Sequence, residues 1–144
     1  MATVELSFTP LPAHVRTARL VATAVARRSG VDESLLDEVR LAVGEACSRA
    51  VEEHQLHCPA EPVRLALSDM ADRFEVEVTD NCAPASAKLA GVGLESKAGV
   101  AGMAGVQAGL GFAVIAGLAD NVEISETAEG TSIRMSWPSA GAVR

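Results

Sequence analysis

The chain has 144 residues, 49% of them apolar but only 3% aromatic, which is enough for one domain with a core of Val, Leu, Ala and Ile. A formal net charge of −7 argues against general nucleic-acid affinity, which needs clustered Lys and Arg. No apolar run approaches the roughly 18 residues of a membrane span, and no basic start followed by an apolar block marks a signal peptide, so no membrane association and a cytoplasmic location are expected.

Val4, Leu6 and Phe8 alternate with Glu5 and Ser7 as a strand, ended by Pro10 and Pro12. Helical spacing of Val15, Ala18, Val21 or Ala22, and Val25 predicts a helix over 13–29, stopped by Gly30. Asp32 is a candidate N-cap for a second helix. It runs to about His54, with Leu35, Leu36, Val39, Ala42, Val43, Ala46 and Ala50 on its buried stripe. Val63, Leu65 and Leu67, then Phe74, Val76 and Val78, predict a hairpin turning at Met70-Ala71-Asp72. From Asn81 to Ala108 the pattern dissolves into Gly, Ala, Ser and Val, a length of loop uncommon in a compact domain unless it is functional or mobile. A short apolar helix over Leu110–Leu118 follows. Two strands then close the domain, one starting at Val122 and Ile124 and one through Ile133, Met135 and Trp137, with a turn at Glu129-Gly130. The domain is expected over residues 1–137, with 138–144 as a tail. The expected class is α/β: a two-layer sandwich of a mixed, mostly antiparallel sheet with helices on one face.

Several short motifs fall in a telling order. Glu45-Ala46-Cys47-Ser48-Arg49-Ala50 lies inside the second helix, with Glu45 and Arg49 one turn apart. Asp80-Asn81-Cys82 follows the third strand, Gly109-Leu110-Gly111 precedes the apolar helix, and Gly130-Thr131 opens the last strand. In this order and spacing, over nearly the whole chain, the sequence resembles the anti-sigma-factor serine kinases, small members of the histidine-kinase-like ATPases (the GHKL superfamily).

The resemblance implies the histidine-kinase-like ATPase fold, ATP or ADP as ligand and serine/threonine protein kinase chemistry. It also implies a sigma factor and an anti-anti-sigma (STAS-domain) antagonist as partners, often in a homodimer. Asp80 would accept a hydrogen bond from the adenine amino group. Gly109, Leu110 and Gly111 would form a glycine box, where backbone N–H groups approach phosphates. The Thr131 hydroxyl would support Asp80. Glu45 would be the general base toward a substrate serine. The segment from Ala83 to Ala108 would be the ATP lid, where only Lys88 and Lys97 could reach phosphates.

Two positions depart from the family pattern. Arg49 stands where the family has the Mg²⁺-ligating Asn, and arginine has donors but no acceptor. Arg49 can pair with Glu45 across i,i+4 or contact phosphate oxygens directly. Either way, phosphoryl transfer is expected to be weak or lost and any nucleotide binding to be Mg²⁺-independent. Cys82 replaces a glycine, putting a side chain where backbone should approach the nucleotide. Arg16 and Arg19, three apart on the first helix of an otherwise acidic chain, are candidate partner contacts.

Two other readings stay open. One is a nucleotide-independent interaction module that switches by partner competition. The other is a zinc- or thiol-dependent regulator built on Cys47, His54, His57 and Cys58, although their spacing matches no common zinc pattern. Three scattered cysteines otherwise predict no disulfide framework, and no metal site is expected.

Overall fold

The computed structural model describes residues 2–82, 111–128 and 130–140. Strand β1 (Ala2–Phe8) leads into helix α1 (Pro12–Arg28), a 3-10 turn (Glu33–Leu35) and helix α2 (Leu36–His57). Strands β2 (Val63–Asp69) and β3 (Arg73–Thr79) follow; residues 111–118 are helical; β4 (Asn121–Thr127) and β5 (Gly130–Pro138) close the fold. The strands form one sheet in the order β1-β2-β3-β5-β4. Every pairing is antiparallel, so among the described residues the expected mixed sheet is wholly antiparallel. Both helices pack on one face of it, as expected from the sequence.

Each helix ends for a local reason. Pro12 sits in the first turn of α1, where its missing N–H costs nothing. Val15, Ala18, Ala22 and Ala26 form its buried stripe. Gly30, at φ 90°, turns the chain out of α1: its N–H donates to the Arg27 carbonyl (3.2 Å), and the Val31 N–H donates to the Ala26 carbonyl (3.1 Å). These are the two bonds of a Schellman ending, which only a residue tolerant of positive φ provides cheaply. Asp32 caps the 3-10 turn Glu33–Leu35 that leads into α2, and not α2 itself, whose N-cap is Leu35: the Asp32 Oδ1 accepts from the Ser34 N–H (2.9 Å) and hydroxyl (2.8 Å). α2 runs three residues past the expected end, to His57, with Val39, Val43, Ala46 and Ala50 buried.

The sheet register separates the two faces. Val4, Leu67, Val76, Met135 and Val122 lie in one row across the strands, and Leu6, Leu65, Val78, Ile133 and Ile124 in another. These rows face the helices. The row between them, Glu5, Ala66, Glu77, Arg134 and Glu123, faces outward, where Arg134 reaches Glu75, Glu77 and Glu123. Phe74 and Trp137 are fully buried, with ring centroids 6.4 Å apart. The Trp137 indole N–H donates to the Leu118 carbonyl (3.0 Å), fixing the end of the 111–118 helix to the sheet.

The strand period also positions the site. Phe74, Val76 and Val78 point inward along β3, and the next inward position is Asp80, only 2% exposed beneath α2.

Candidate functional site: the end of strand β3 beneath helix α2

A carboxylate at this depth needs donors, and Asp80 has them. Its Oδ1 accepts from the backbone N–H groups of Thr131 and Cys82, each at 3.3 Å. Its Oδ2 accepts from Arg49 Nη2 at 3.0 Å, an ion pair in which Asp80 is almost fully buried and the Arg49 side chain keeps 18% exposure. The Arg49 guanidinium also lies 5.4 Å from the centre of the Phe112 ring. Arg49 therefore bridges the end of β3 and the 111–118 helix. Its Nε is buried with no hydrogen-bond partner among the described residues. The side chain turns to Asp80 instead of its expected i,i+4 partner Glu45. The reason is burial, because a near-dry carboxylate attracts a cation more strongly than a half-exposed one.

Glu45 is half-buried and faces the start of the same helix: a Cβ added at Gly111 would lie 3.0 Å from Glu45 Oε2. The structure thus brings Glu45, Arg49, Asp80, Gly111 and Thr131 to one region. Thr131 meets Asp80 through its backbone, where its hydroxyl was expected: its N–H donates to Oδ1 and its carbonyl accepts the Asp80 N–H (2.9 Å). Gly130 is required beside it, since a Cβ there would collide with the Asp80 carbonyl and sit 3.0 Å from Oδ1. Gly109 and Leu110, and the lid positions Lys88 and Lys97, lie outside the described residues.

Cys82 does not project into an open pocket. It is buried and joined by a disulfide to Cys58, with Cα atoms 5.7 Å apart. The expectation of no disulfide is therefore corrected. The residues are distant in sequence, but the hairpin returns β3 to the C-terminal end of α2.

His54, fully buried, completes this junction. Its Nδ1 donates to the Glu61 carbonyl (2.8 Å), and its Nε2 accepts the Asn81 N–H (3.1 Å), which fixes the tautomer with the proton on Nδ1. The Asn81 side-chain amide donates to the Pro62 carbonyl (3.0 Å). Three consecutive residues, Asp80, Asn81 and Cys82, are thus each held by one residue of α2 or its end: Arg49, His54 and Cys58. Sequence reasoning missed His54 and Asn81 in this role. The available signal is a histidine on the inward face of α2, whose nearness to Cys58 in sequence points equally to zinc.

Of the four zinc candidates, the structure brings together His54 and Cys58, joined by Cys82, with ligand atoms within 4.8 Å of one another. Cys47 is a separate buried free thiol, and His57 lies 3.7 Å from Glu53. Burial pushes the Cys47 thiol up to about 12, partly countered by Arg19.

Arg16 is exposed on α1. Arg19 is half-buried, and its aliphatic stem lies over Gly44 of α2 so closely that a Cβ there would sit 2.7 Å from Cδ.

A sheet with helices on one face, a buried carboxylate ending an inner strand and a glycine-led helix opposite it form the frame of a known nucleotide-binding domain. A family model described as the histidine kinase-like ATPase domain matches residues 8–137. The chain belongs to that family. No curated protein matches it. Among solved structures, the crystal structure of the RsbU and RsbW domains of Rv1364c from Mycobacterium tuberculosis is similar, with a TM-score of 0.66 at 17% identity. That match covers 100% of this chain and 35% of the other.

Against this histidine kinase-like ATPase frame, the donor set can be tested for fit. A magnesium ion does not fit at position 49, because a guanidinium has no lone pair to offer and repels a cation. An adenine amino group fits Asp80 only if Arg49 gives way or shares Oδ2, since Oδ1 already accepts two N–H bonds. Among the described residues no helix is long and apolar enough to cross a membrane.

Proposed function

We propose that this protein is a cytoplasmic regulator of the anti-sigma-factor type. Its ATPase-family pocket is self-occupied, and its serine kinase activity is weak or lost. The observation that carries the reading is the Arg49–Asp80 ion pair. One side chain removes the metal ligand and also engages the carboxylate that would select adenine. ATP or ADP binds weakly, with little help from Mg²⁺, and Glu45 has no ordered γ-phosphate to serve as base.

Regulation then resides in protein contacts with a sigma factor and an anti-anti-sigma (STAS-domain) antagonist, in a homodimer. On α1, Arg16 stands one turn from Leu20, which is 60% exposed, and their combination of charge and apolar surface suits a protein partner. The same ion pair favours a second reading, a module that never uses nucleotide and switches by partner competition alone.

Phosphate transfer from labelled ATP to a cognate antagonist tests the loss of kinase activity. The expected result is no transfer, or transfer only after Arg49→Asn. Brisk transfer by the native chain, abolished by Glu45→Ala, would show a working kinase.

A further inference from the structure

We infer that Cys58 and Cys82 form a reversible thiol–disulfide switch that sets whether Asp80 is free to receive a ligand. The inference rests on reading Asp80 as the base-selecting carboxylate of a protein in a reducing compartment.

The disulfide lies at one end of the junction that holds the Asp80–Cys82 turn against α2. Arg49 is nine residues before Cys58, which caps the C-terminal end of α2, and Asp80 is two residues before Cys82 on the same turn. A covalent bond at Cys58–Cys82 therefore restrains the distance between α2 and the turn that carries Asp80. With the bond made, Arg49 and Asp80 stand 3.0 Å apart. Breaking it removes the covalent tie between the turn and the end of α2 and leaves hydrogen bonds of Asn81 to His54 and Pro62, those between Asp80 and Thr131, and the ion pair, and Arg49 can then yield the carboxylate. In a reducing compartment, disulfides are typically transient and redox-sensing.

The pair is built for exchange from one side. Cys58 is half-buried and Cys82 is buried, so an incoming thiolate reaches Cys58 Sγ first. A dithiol reductant forms a mixed disulfide with Cys58, and the Cys58–Cys82 bond breaks. Cys82 leaves as a thiolate and takes up one proton. The reductant's second thiol then displaces Cys58, which takes up the other proton. Two electrons and two protons have moved to the chain, and the reductant leaves as its own disulfide. The same exchange runs backwards against an oxidised dithiol carrier. The new Cys82 thiol has an acceptor in place, the Glu53 carbonyl 3.8 Å from its sulfur. Cys47 takes no part, being a separate buried thiol.

The test uses the full chain, oxidised or reduced with a dithiol and no denaturant, and reads thiols by alkylation and mass. Reduction to three free thiols with the fold retained is expected. A disulfide that opens only when the protein unfolds would make it a structural staple and overturn the switch. ATP titration of the two forms should give affinity higher in the reduced form by about fivefold or more. Cys58→Ser should match the reduced form in both buffers. Equal affinities in the two forms would overturn the coupling. If neither form binds nucleotide, the functional reading fails. The switch is then decided by hydrogen exchange at residues 80–82: faster exchange on reduction sustains it, and equal protection overturns it. Stoichiometric zinc held by the reduced chain through His54, Cys58 and Cys82, leaving residues 80–82 as protected as in the oxidised chain, would also overturn it in favour of a metal site.

Discussion

Asp80 has two roles at once, and its substitution reads both. It is the inward end of β3, and it satisfies the Thr131 and Cys82 N–H groups and Arg49 together. Asp80→Asn keeps an acceptor for the backbone but leaves Arg49 facing a neutral group. Removing one partner of a buried pair typically costs 3–5 kcal/mol. Arg49 keeps some solvent, so about 3 kcal/mol is expected from urea unfolding, alongside loss of any adenine recognition. An unchanged unfolding midpoint would show that the pair is not formed in solution. Cys47 gives a pH signature. Its folded pKa is raised from 9.0 to about 12, so its contribution is fully present below about pH 9 and is lost as pH rises toward 12. Unfolding followed from pH 8 to 11 should show stability falling in that window, and Cys47→Ala should flatten it. In the folded oxidised chain no thiol should react with iodoacetamide at pH 8, since Cys47 is buried and protonated and the other two are bonded.

At the scale of elements, α2 is the spine of the site. It carries Glu45 toward Gly111, Arg49 toward Asp80 and Phe112, His54 toward Asn81, and its end bears Cys58. Much of this was legible from the sequence. The alternation of Phe74, Val76 and Val78 carries through to Asp80 and announces its burial, and the Asp32 cap and Gly30 stop are read directly from residue type. The pairings of Arg49 and Cys58 were not legible. Each links α2 to a turn beyond a hairpin, and no local period encodes which residues meet there. The i,i+4 neighbour Glu45 was the natural local partner for Arg49, and burial at Asp80 outweighed it. The 111–118 helix has its own anchor in the Trp137 indole. Trp137→Phe removes that donor and should cost about 1 kcal/mol beyond the change in packing, with faster hydrogen exchange over residues 111–118 than elsewhere. Uniform exchange would show that the helix is held by apolar contacts alone.

For the whole molecule, a family frame is kept while one cation is placed across its chemical centre. The outer sheet face is laced with charge around Arg134, and the acidic net charge of −7 leaves α1 as a basic, leucine-bearing face. Those features suit a protein that works by binding proteins, with nucleotide as a weak or conditional ligand. In the proposed function Arg49 both closes the pocket and displaces the metal. Calorimetric titration of the oxidised native chain and of Arg49→Asn with ATP, each with and without Mg²⁺, tests it most directly, with thermal unfolding recorded beside it. The native chain should bind weakly and to the same degree in both buffers. Arg49→Asn should gain affinity in both buffers because Asp80 is freed, and by about a further tenfold or more, roughly 1.4 kcal/mol, when Mg²⁺ is present. Tight ATP binding by the native chain that strengthens by the same factor with Mg²⁺, and is lost in Arg49→Asn, would contradict the account.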